Sequence, residues 1–464
     1  MKKNIATPPV KKGGIYSLDV VSLGHSGEGV GRVEDFTVFV PQALPGEKVK
    51  AKIIEVKKNY AKGVLLTVET ASPRRTTAKC PIYKSCGGCQ LQHLTYEGQL
   101  ESKRQTVVDA ITRIGKLDGV PVHATLGCTK PWYYRNKMQF PVGLADGAVV
   151  AGCFAQGTHT IIPTTECTIQ HQANNVILQE VQAALHEFGI SVYDENTGTG
   201  LVRHVLGRVG VATGEVMVVL VTAAKHLPHK EQIIDRLKNR IPGLVSVIQN
   251  VNGRKTNVIM GEETQTLWGR DTITDRLGDC SFAISARSFF QVNTTQAAVL
   301  YEKALEYADL SGQEVVIDAY CGTGTISLFL AQKAKKVYGI EIVEPAIRDA
   351  RLNAERNQVE NAEFIVGDAV DVLPRLFKEG LRPDVIVVDP PRAGCDRQVL
   401  ETFVNMKPQR IVYVSCNPSS LARDLAVLNE QGYETQEVQP VDMFPQTFHV
   451  EAIVSIQRRA TGNP

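Results

Sequence analysis

The chain has 464 residues and carries 51 lysines and arginines against 49 aspartates and glutamates, a formal charge of +2. That length exceeds one ordinary core and points to about three domains. The near-neutral balance excludes a uniformly basic nucleic-acid binder, so any such footprint must be local. No run of residues approaches a membrane span; the longest apolar stretch, around Val216 to Ala224, reads as a buried strand. Residues 1–14 are basic, hold Pro8 and Pro9, and lack the apolar core of a signal peptide, so a flexible tail is expected. With ten cysteines and no such leader, the expectation is a soluble cytoplasmic monomer that uses some of its thiols for metal binding or catalysis.

From Ile15 to about Ala71 short strands alternate with glycine turns, the pattern of a small five-stranded barrel of the oligonucleotide-binding type. In Lys48-Val49-Lys50-Ala51-Lys52-Ile53 the period is two, which puts the lysines on one face. Residues 1–70 hold eleven Lys and Arg against seven Asp and Glu. Such a surface either tracks phosphates or is a plain solvated strand face. Next comes Cys80-x5-Cys86-Gly87-Gly88-Cys89, three thiols in ten residues. Thiolates so placed wrap one soft centre, and both a zinc ion and a cubane iron–sulfur cluster fit. By position alone Cys128, Cys153 and Cys167 are all candidates for the fourth ligand.

A single amphipathic helix is expected between Leu91 and Gly119, with Leu100, Val107, Val108, Ile111 and Ile114 on its apolar face. Val120 to Ala286 is a mixed region with strand-like runs at Met138–Val142, Val202–Val209, Val216–Val221 and Val245–Asn250. Helical runs lie between them at Asn174–Phe188 and Lys230–Arg240. Tyr133-Tyr134-Arg135-Asn136-Lys137 is a dense aromatic and basic group suited to stacking on RNA, or else to a solvated strand.

From about Leu310 strands alternate with helices. The strand at Glu314–Ile317 runs into Asp318-Ala319-Tyr320-Cys321-Gly322-Thr323-Gly324, and the next strand ends in Glu341. A glycine turn followed about twenty residues on by an acid is the nucleotide-ribose arrangement of a doubly wound sheet. Ser327 stands where the dinucleotide fingerprint has its third glycine, which lowers NAD and raises S-adenosylmethionine. A later strand meets Asp389-Pro390-Pro391-Arg392, and another meets Ser415-Cys416-Asn417-Pro418. Cys416 therefore sits at a strand-to-helix turn, where the positive helix end is expected to favour the thiolate. Tyr433–Gln439 and His449–Ile456 read as an antiparallel pair closing a seven-stranded layout.

The cysteine motif, Ser288-Phe289-Phe290-Gln291-Val292-Asn293, the glycine turn, Asp389-Pro390-Pro391-Arg392, Val414-Ser415-Cys416-Asn417-Pro418 and Phe448-His449-Val450-Glu451 occur in that order. Together they resemble the RNA uracil-C5 methyltransferases, in particular the bacterial 23S ribosomal RNA branch. The resemblance implies an α/β fold: a class I (Rossmann-like) methyltransferase domain with an N-terminal TRAM β-barrel and a central α+β iron–sulfur domain. It implies boundaries at 15–72 for the barrel, 73–93 with 126–286 for the central domain, and 94–125 with 287–464 for the catalytic domain. It assigns a 4Fe-4S cluster to Cys80, Cys86, Cys89 and Cys167. S-adenosylmethionine falls to Gln291, Tyr320, Glu341 and Asp389, the nucleophile to Cys416 and the base to Glu451.

The chemistry requires those types. Carbon 5 of uracil is a poor nucleophile until a thiolate adds at carbon 6, the step assigned to Cys416. A base must then remove the carbon-5 proton before the thiolate departs, the step assigned to Glu451. The expected partner is 23S ribosomal RNA, with transfer RNA as the alternative. Phe289 and Phe290 are candidates to stack on the base, with core packing expected for at least one of them. Two other readings remain: an adenine amino-group methyltransferase, in which the thiol has no role, and a cluster-bearing RNA-binding module.

Overall fold

The computed structural model describes residues 8–460. Its C-terminal layer is a seven-stranded sheet with the spatial order Ala362–Val366, Lys336–Glu341, Val315–Ala319, Val385–Val388, Arg410–Ser415, Glu451–Arg458, Tyr433–Val441. The first five strands pair in parallel; the last two are antiparallel. Parallel strands carry helices on both faces, so their sequences are continuous apolar runs, and Val385–Val388 is buried throughout. Alternate residues divide between two cores: Val385, Val387, Val412 and Val414 enter one, Ile386, Val388, Ile411 and Tyr413 the other. Strand order reverses between Val315–Ala319 and Val385–Val388, which opens a crevice beyond their carboxyl ends.

The helix expected between Leu91 and Gly119 runs from Tyr96 to Arg113, with Thr95 as its cap accepting from Gly98. Val107, Ala110 and Ile111 bury in the same core as Leu421, Leu425 and Val438, so this early helix packs on the C-terminal sheet. The chain beyond it then runs along the sheet edge, where His123 and Leu126 donate backbone bonds to Val438 and Pro440. Lys103 on the buried side of this helix reaches Asp442, just past the last residue of the Tyr433–Val441 strand, at 2.5 Å; both side chains are within 1% of complete burial. Lys103 also donates to the Phe444 carbonyl at 3.0 Å, and Asp442 accepts from Tyr96 at 2.9 Å. Gln99 completes the tether by exchanging bonds with Gln446.

The N-terminal strands Ile15–Leu23, Gly29–Val33, Phe36–Val40, Tyr60–Thr70 and Lys48–Val56 close a barrel in that order. Along Lys48–Val56, Lys48, Lys50 and Lys52 are exposed while Val49, Ala51 and Ile53 fill the barrel core. Of the tail expected at 1–14, residues 1–7 lie outside the described residues. The remainder is anchored instead: Val10 is in the barrel core, and Gly13 and Gly14 exchange backbone bonds with Ile53. Arg75 clamps the following segment to the barrel through the buried Glu47, whose carboxyl is held low by the Arg75 guanidinium and backbone N–H groups against the cost of burial. The barrel turn at Gly27 packs on Gln90 and Phe448; a Cβ there would lie 3.2 Å from one and 3.3 Å from the other.

Between these parts a second seven-stranded sheet has the order Glu263–Gly269, Leu244–Val251, Val216–Thr222, Val202–Val209, Lys137–Ala145, Ala148–Phe154, Ile161–Pro163. One face is covered by the helices Gln172–Glu187 and Lys230–Arg240. The other turns Leu206, Met217, Val219 and Val221 toward the C-terminal domain and shares its core. The cavity described below is bounded by both sheets. No helix among the described residues is long and apolar enough to cross a membrane.

Removing one partner of a buried ion pair strands the other charge, so Lys103→Ala and Asp442→Ala are each expected to cost about 3–5 kcal/mol. The double replacement should cost less than the sum, as read by urea unfolding.

Candidate active site

The crevice is one arm of a cavity of about 1660 Å³. On its sheet side Tyr320 takes a left-handed backbone (φ +67°), then Gly322 (+55°) and Gly324 (+78°) turn the chain into the helix Thr325–Ala331. A Cβ on Gly324 would stand 3.0 Å from Ala350 and the Phe364 ring. Glu341 is aimed by this turn, accepting from the Gly322 amide at 3.2 Å and the Val343 amide at 2.9 Å. Ser327, at the position of the missing third glycine, donates to the fully buried Asp318 at 2.5 Å. The other oxygen of Asp318 has no partner, and burial chiefly, with the charges of Asp389 and Glu341, raises its carboxyl to about 7.

Cys416 and Glu451 meet at the end of the antiparallel ladder. Its last pair is Ser415 with Ala452; Cys416 follows in a bend just past the strand, and both Cys416 and Glu451 line the cavity, near enough for the Glu451 charge to act on the thiol. Beyond Cys416, Asn417 caps the helix Pro418–Glu430 by accepting from Ser419, and Pro418 opens it, as the sequence leads one to expect. Asn417 and Ser420 also hold the Arg392 carbonyl, at 2.9 and 3.0 Å. The buried Asp424 takes the Tyr413 hydroxyl at 2.6 Å and the Cys395 amide at 2.8 Å. This one helix therefore fixes the Asp389–Cys395 loop against the strand that ends at Ser415, one residue before Cys416.

The electrostatics correct one expectation. Cys416 is not biased toward thiolate: burial first, then the negative charges of Glu451 and Asp389, push its thiol up to about 11, outweighing the opposing pull of Arg392. Burial raises Asp389 to about 7. Burial, then Asp389, raises Glu451 to about 8 against the pull of Arg392. His449 goes the other way, to about 4, through burial and then the charges of Arg392, Lys103 and Arg135, so its imidazole is neutral. Its ring lies 4.1 Å from that of Phe448.

Gln291 and Tyr320 line the same cavity as Glu341, Asp389, Cys416 and Glu451. The two phenylalanines separate: Phe290 is buried against Phe282, whereas Phe289 is 68% exposed and lines the cavity. Arg392 and His449, to which the sequence reading gave no role, also line it beside Cys416. Cys80, Cys86, Cys89 and Cys167 line its other arm, near enough for their charges to act on one another. Of the other two candidates for the fourth ligand, Cys128 is buried elsewhere, 3.2 Å from the Lys130 carbonyl, while Cys153 stands against Cys86. Among the described residues no three such side chains converge to hold a metal ion, so the expected ligation is not shown.

A seven-stranded, mostly parallel sheet with an acid-oriented glycine turn and a crevice at its carboxyl edge defines a class I methyltransferase fold. The profile of the tRNA (Uracil-5-)-methyltransferase family matches residues 210–459, and that of the TRAM domain residues 9–66. An uncharacterized RNA methyltransferase of Bacillus cereus is 54% identical over 97% of this chain and 98% of its own. One from Halalkalibacterium halodurans is 52% identical over 97% and 98%. Among solved structures, the Pyrococcus abyssi tRNA (uracil-54, C5)-methyltransferase in complex with S-adenosyl-L-homocysteine is 30% identical. It superposes with a TM-score of 0.77 over 95% of this chain and 100% of that one. The chain belongs to the family of RNA uracil-5-methyltransferases.

A carboxyl raised on folding makes the native state bind more protons than the unfolded chain, so stability falls as pH rises between the two pKa values. For Glu451 that window runs from about 4.5 to about 8. Glu451→Gln, which mimics the protonated acid, is expected to melt at a higher temperature than the wild type at pH 8 and to lose that advantage by pH 5, as read by calorimetry.

Proposed function

We propose that the protein methylates carbon 5 of a uridine in 23S ribosomal RNA, with Cys416 as nucleophile and Glu451 as base. The reading is supported above all by the placement of Cys416 and Glu451 on one cavity with Asp389 and Glu341, the thiol within reach of the Glu451 and Asp389 charges. Gln291, Tyr320, Glu341 and Asp389 would hold S-adenosylmethionine, the Glu341 carboxylate accepting from ribose hydroxyls. Bound there, it supplies the methyl group and a positive sulfonium.

The uridine is unstacked into the crevice beside Phe289, at a cost of a few kcal/mol offset by contacts elsewhere along the RNA. Cys416 adds to carbon 6, leaving an enolate whose carbon 5 accepts the methyl group. With Arg392 already acting on it the thiol still stands near 11, so Cys416 must first release its proton to solvent, a loss that the further positive charge of the sulfonium would favour. Glu451, raised to about 8 and so having first to lose its own proton, takes the carbon-5 proton; the carbon-5 electron pair re-forms the 5,6 double bond and expels the thiolate. His449, neutral beside Glu451, adds no charge to oppose that carboxylate.

The cysteine arm fits the proposed 4Fe-4S cluster in kind. Cys80, Cys86, Cys89 and Cys167 are all soft sulfur donors gathered on one wall, and a cubane spreads its thiolates more widely than a single ion does. Its part would be to cross-link residues 80–89 to the 167 loop, since the reaction transfers no electrons. Protein purified without oxygen is expected to carry iron and acid-labile sulfide, and Cys89→Ser to lose both along with the visible absorbance.

The choice of RNA rests on the barrel and the cysteine set. The transfer-RNA reading is favoured instead by the Pyrococcus abyssi relative, whose substrate is a tRNA uracil. Incubation with labelled S-adenosylmethionine and each RNA class, followed by mapping of 5-methyluridine, decides between them. Cys416→Ala is expected to lose at least about 10³-fold in rate while still binding RNA. Glu451→Gln should accumulate a protein–RNA adduct that survives denaturing electrophoresis, with release slowed about 10²–10⁴-fold. RNA carrying 5-fluorouridine should trap the wild type but not Cys416→Ala; methylation undiminished in Cys416→Ala would overturn the mechanism.

A further inference from the structure

Among the described residues, one group of cations at the cavity wall forms no ion pair. Lys137 opens the strand Lys137–Ala145, and its direct cross-strand partner is Arg208. Strand alternation puts Lys137 on the same face as Gln139, which lines the cavity. Arg135, two residues earlier, lines the cavity too, and its Nε donates to the Lys137 carbonyl at 3.2 Å. Arg135 thus lines the cavity itself, while Lys137 and its partner Arg208 stand beside each other just behind that wall.

Among the described residues none of the three forms an ion pair. Burial first, then the charges of Arg208 and Arg135, push the Lys137 ammonium down to about 8. Arg208 is 3% exposed, and burial alone lowers it to about 10. Its guanidinium donates to the Ala286 and Ser288 carbonyls, but its Nε has no acceptor. Across the same part of the cavity the Thr168 hydroxyl is also buried without a partner. Burying cations together costs stability, and a fold keeps such an arrangement where an anion repays it.

Arg208 is already committed: its two carbonyl bonds latch the loop that carries Phe289 and Gln291. Lys137 and Arg135 are the free arms. We infer that Lys137 and Arg135 bind a backbone phosphodiester of the RNA beside the unstacked uridine, and that Arg208 couples this phosphate to the Phe289–Gln291 loop. Rotating one nucleotide into a crevice bends the strand sharply and crowds its phosphates, which is where a pair of inward-facing cations is needed. The inference rests on the RNA-methylating reading above.

The test compares wild type, Lys137→Met and Lys137→Arg in binding to a 23S ribosomal RNA transcript at several salt concentrations. Losing one phosphate contact should lower the slope of log Kd against log salt by about 0.7 and weaken binding roughly tenfold at low salt. Lys137→Arg should keep the slope. Removing an uncompensated cation should also raise the melting temperature of the RNA-free Lys137→Met protein, a result that a purely structural lysine would not give. A transcript with a neutral methylphosphonate next to the target uridine should bind the wild type more weakly and leave Lys137→Met unaffected. An unchanged salt slope in Lys137→Met overturns the inference, as does a matching loss of S-adenosylmethionine affinity, which would assign the site to the cofactor's carboxylate. If the wild type neither binds nor methylates any RNA class, the functional reading itself has failed, an outcome distinct from both.

Discussion

The buried ion pair between Lys103 and Asp442 is the contact on which the reaction chamber depends. Glu451 opens the last strand, but the segment that leads into it, residues 442–450, has no strand partner to hold it. Lys103 holds it instead, gripping both the Asp442 carboxylate and the Phe444 carbonyl, while Gln99 grips Gln446. Phe444, Thr447 and His449 are thereby fixed as one wall of the cavity. An apolar pair of equal volume would fill the space and could be more stable. It would not make the three hydrogen bonds by which Lys103 and Asp442 tie the helix to this turn.

Within that chamber the acids outnumber the bases, and the consequence is a resting site that stays largely uncharged. Asp318, Asp389 and Glu451 are raised by burial and, for Asp318 and Glu451, by mutual repulsion as well. Cys416 is raised by two of the same neighbours. A pocket arranged in this way gains most from a ligand that brings positive charge, because one cation relaxes every member of the set at once. On the proposed function, preference for a sulfonium and activation of the thiol would be two results of a single distribution of charge.

The fold was largely legible because its signals are local. Strands buried on both faces announce themselves as Val385–Val388 and Ile411–Val414, and the Asn417-Pro418 cap follows from helix-start chemistry alone. Closure of the N-terminal strands into a barrel was readable from their length and glycine spacing. What the sequence hid depends on contacts distant along the chain. Lys103 looks like any lysine on a helix until Asp442 is folded beside it. Cys153 and Cys167 cannot be ranked against Cys128 by spacing. The helix-end argument for a thiolate at Cys416 failed because it weighed one favourable dipole and did not know that two carboxylates would be buried next to it. Anchoring of Val10 escaped notice because a single valine between prolines and lysines carries no periodicity.

The tie between Lys103 and Asp442 spans 339 positions. At the roughly 5–20 residues per second of protein synthesis, the early helix leaves the ribosome roughly 20–70 seconds before its partner exists. Through that interval Val107, Ala110 and Ile111 present a bare apolar stripe with a lysine in it, and the barrel and second sheet must fold around a helix that belongs to neither. A stop codon shortly before Asp442 would therefore leave a chain with every earlier helix encoded but neither the acid that receives Lys103 nor the Glu451–Arg458 strand that completes the sheet.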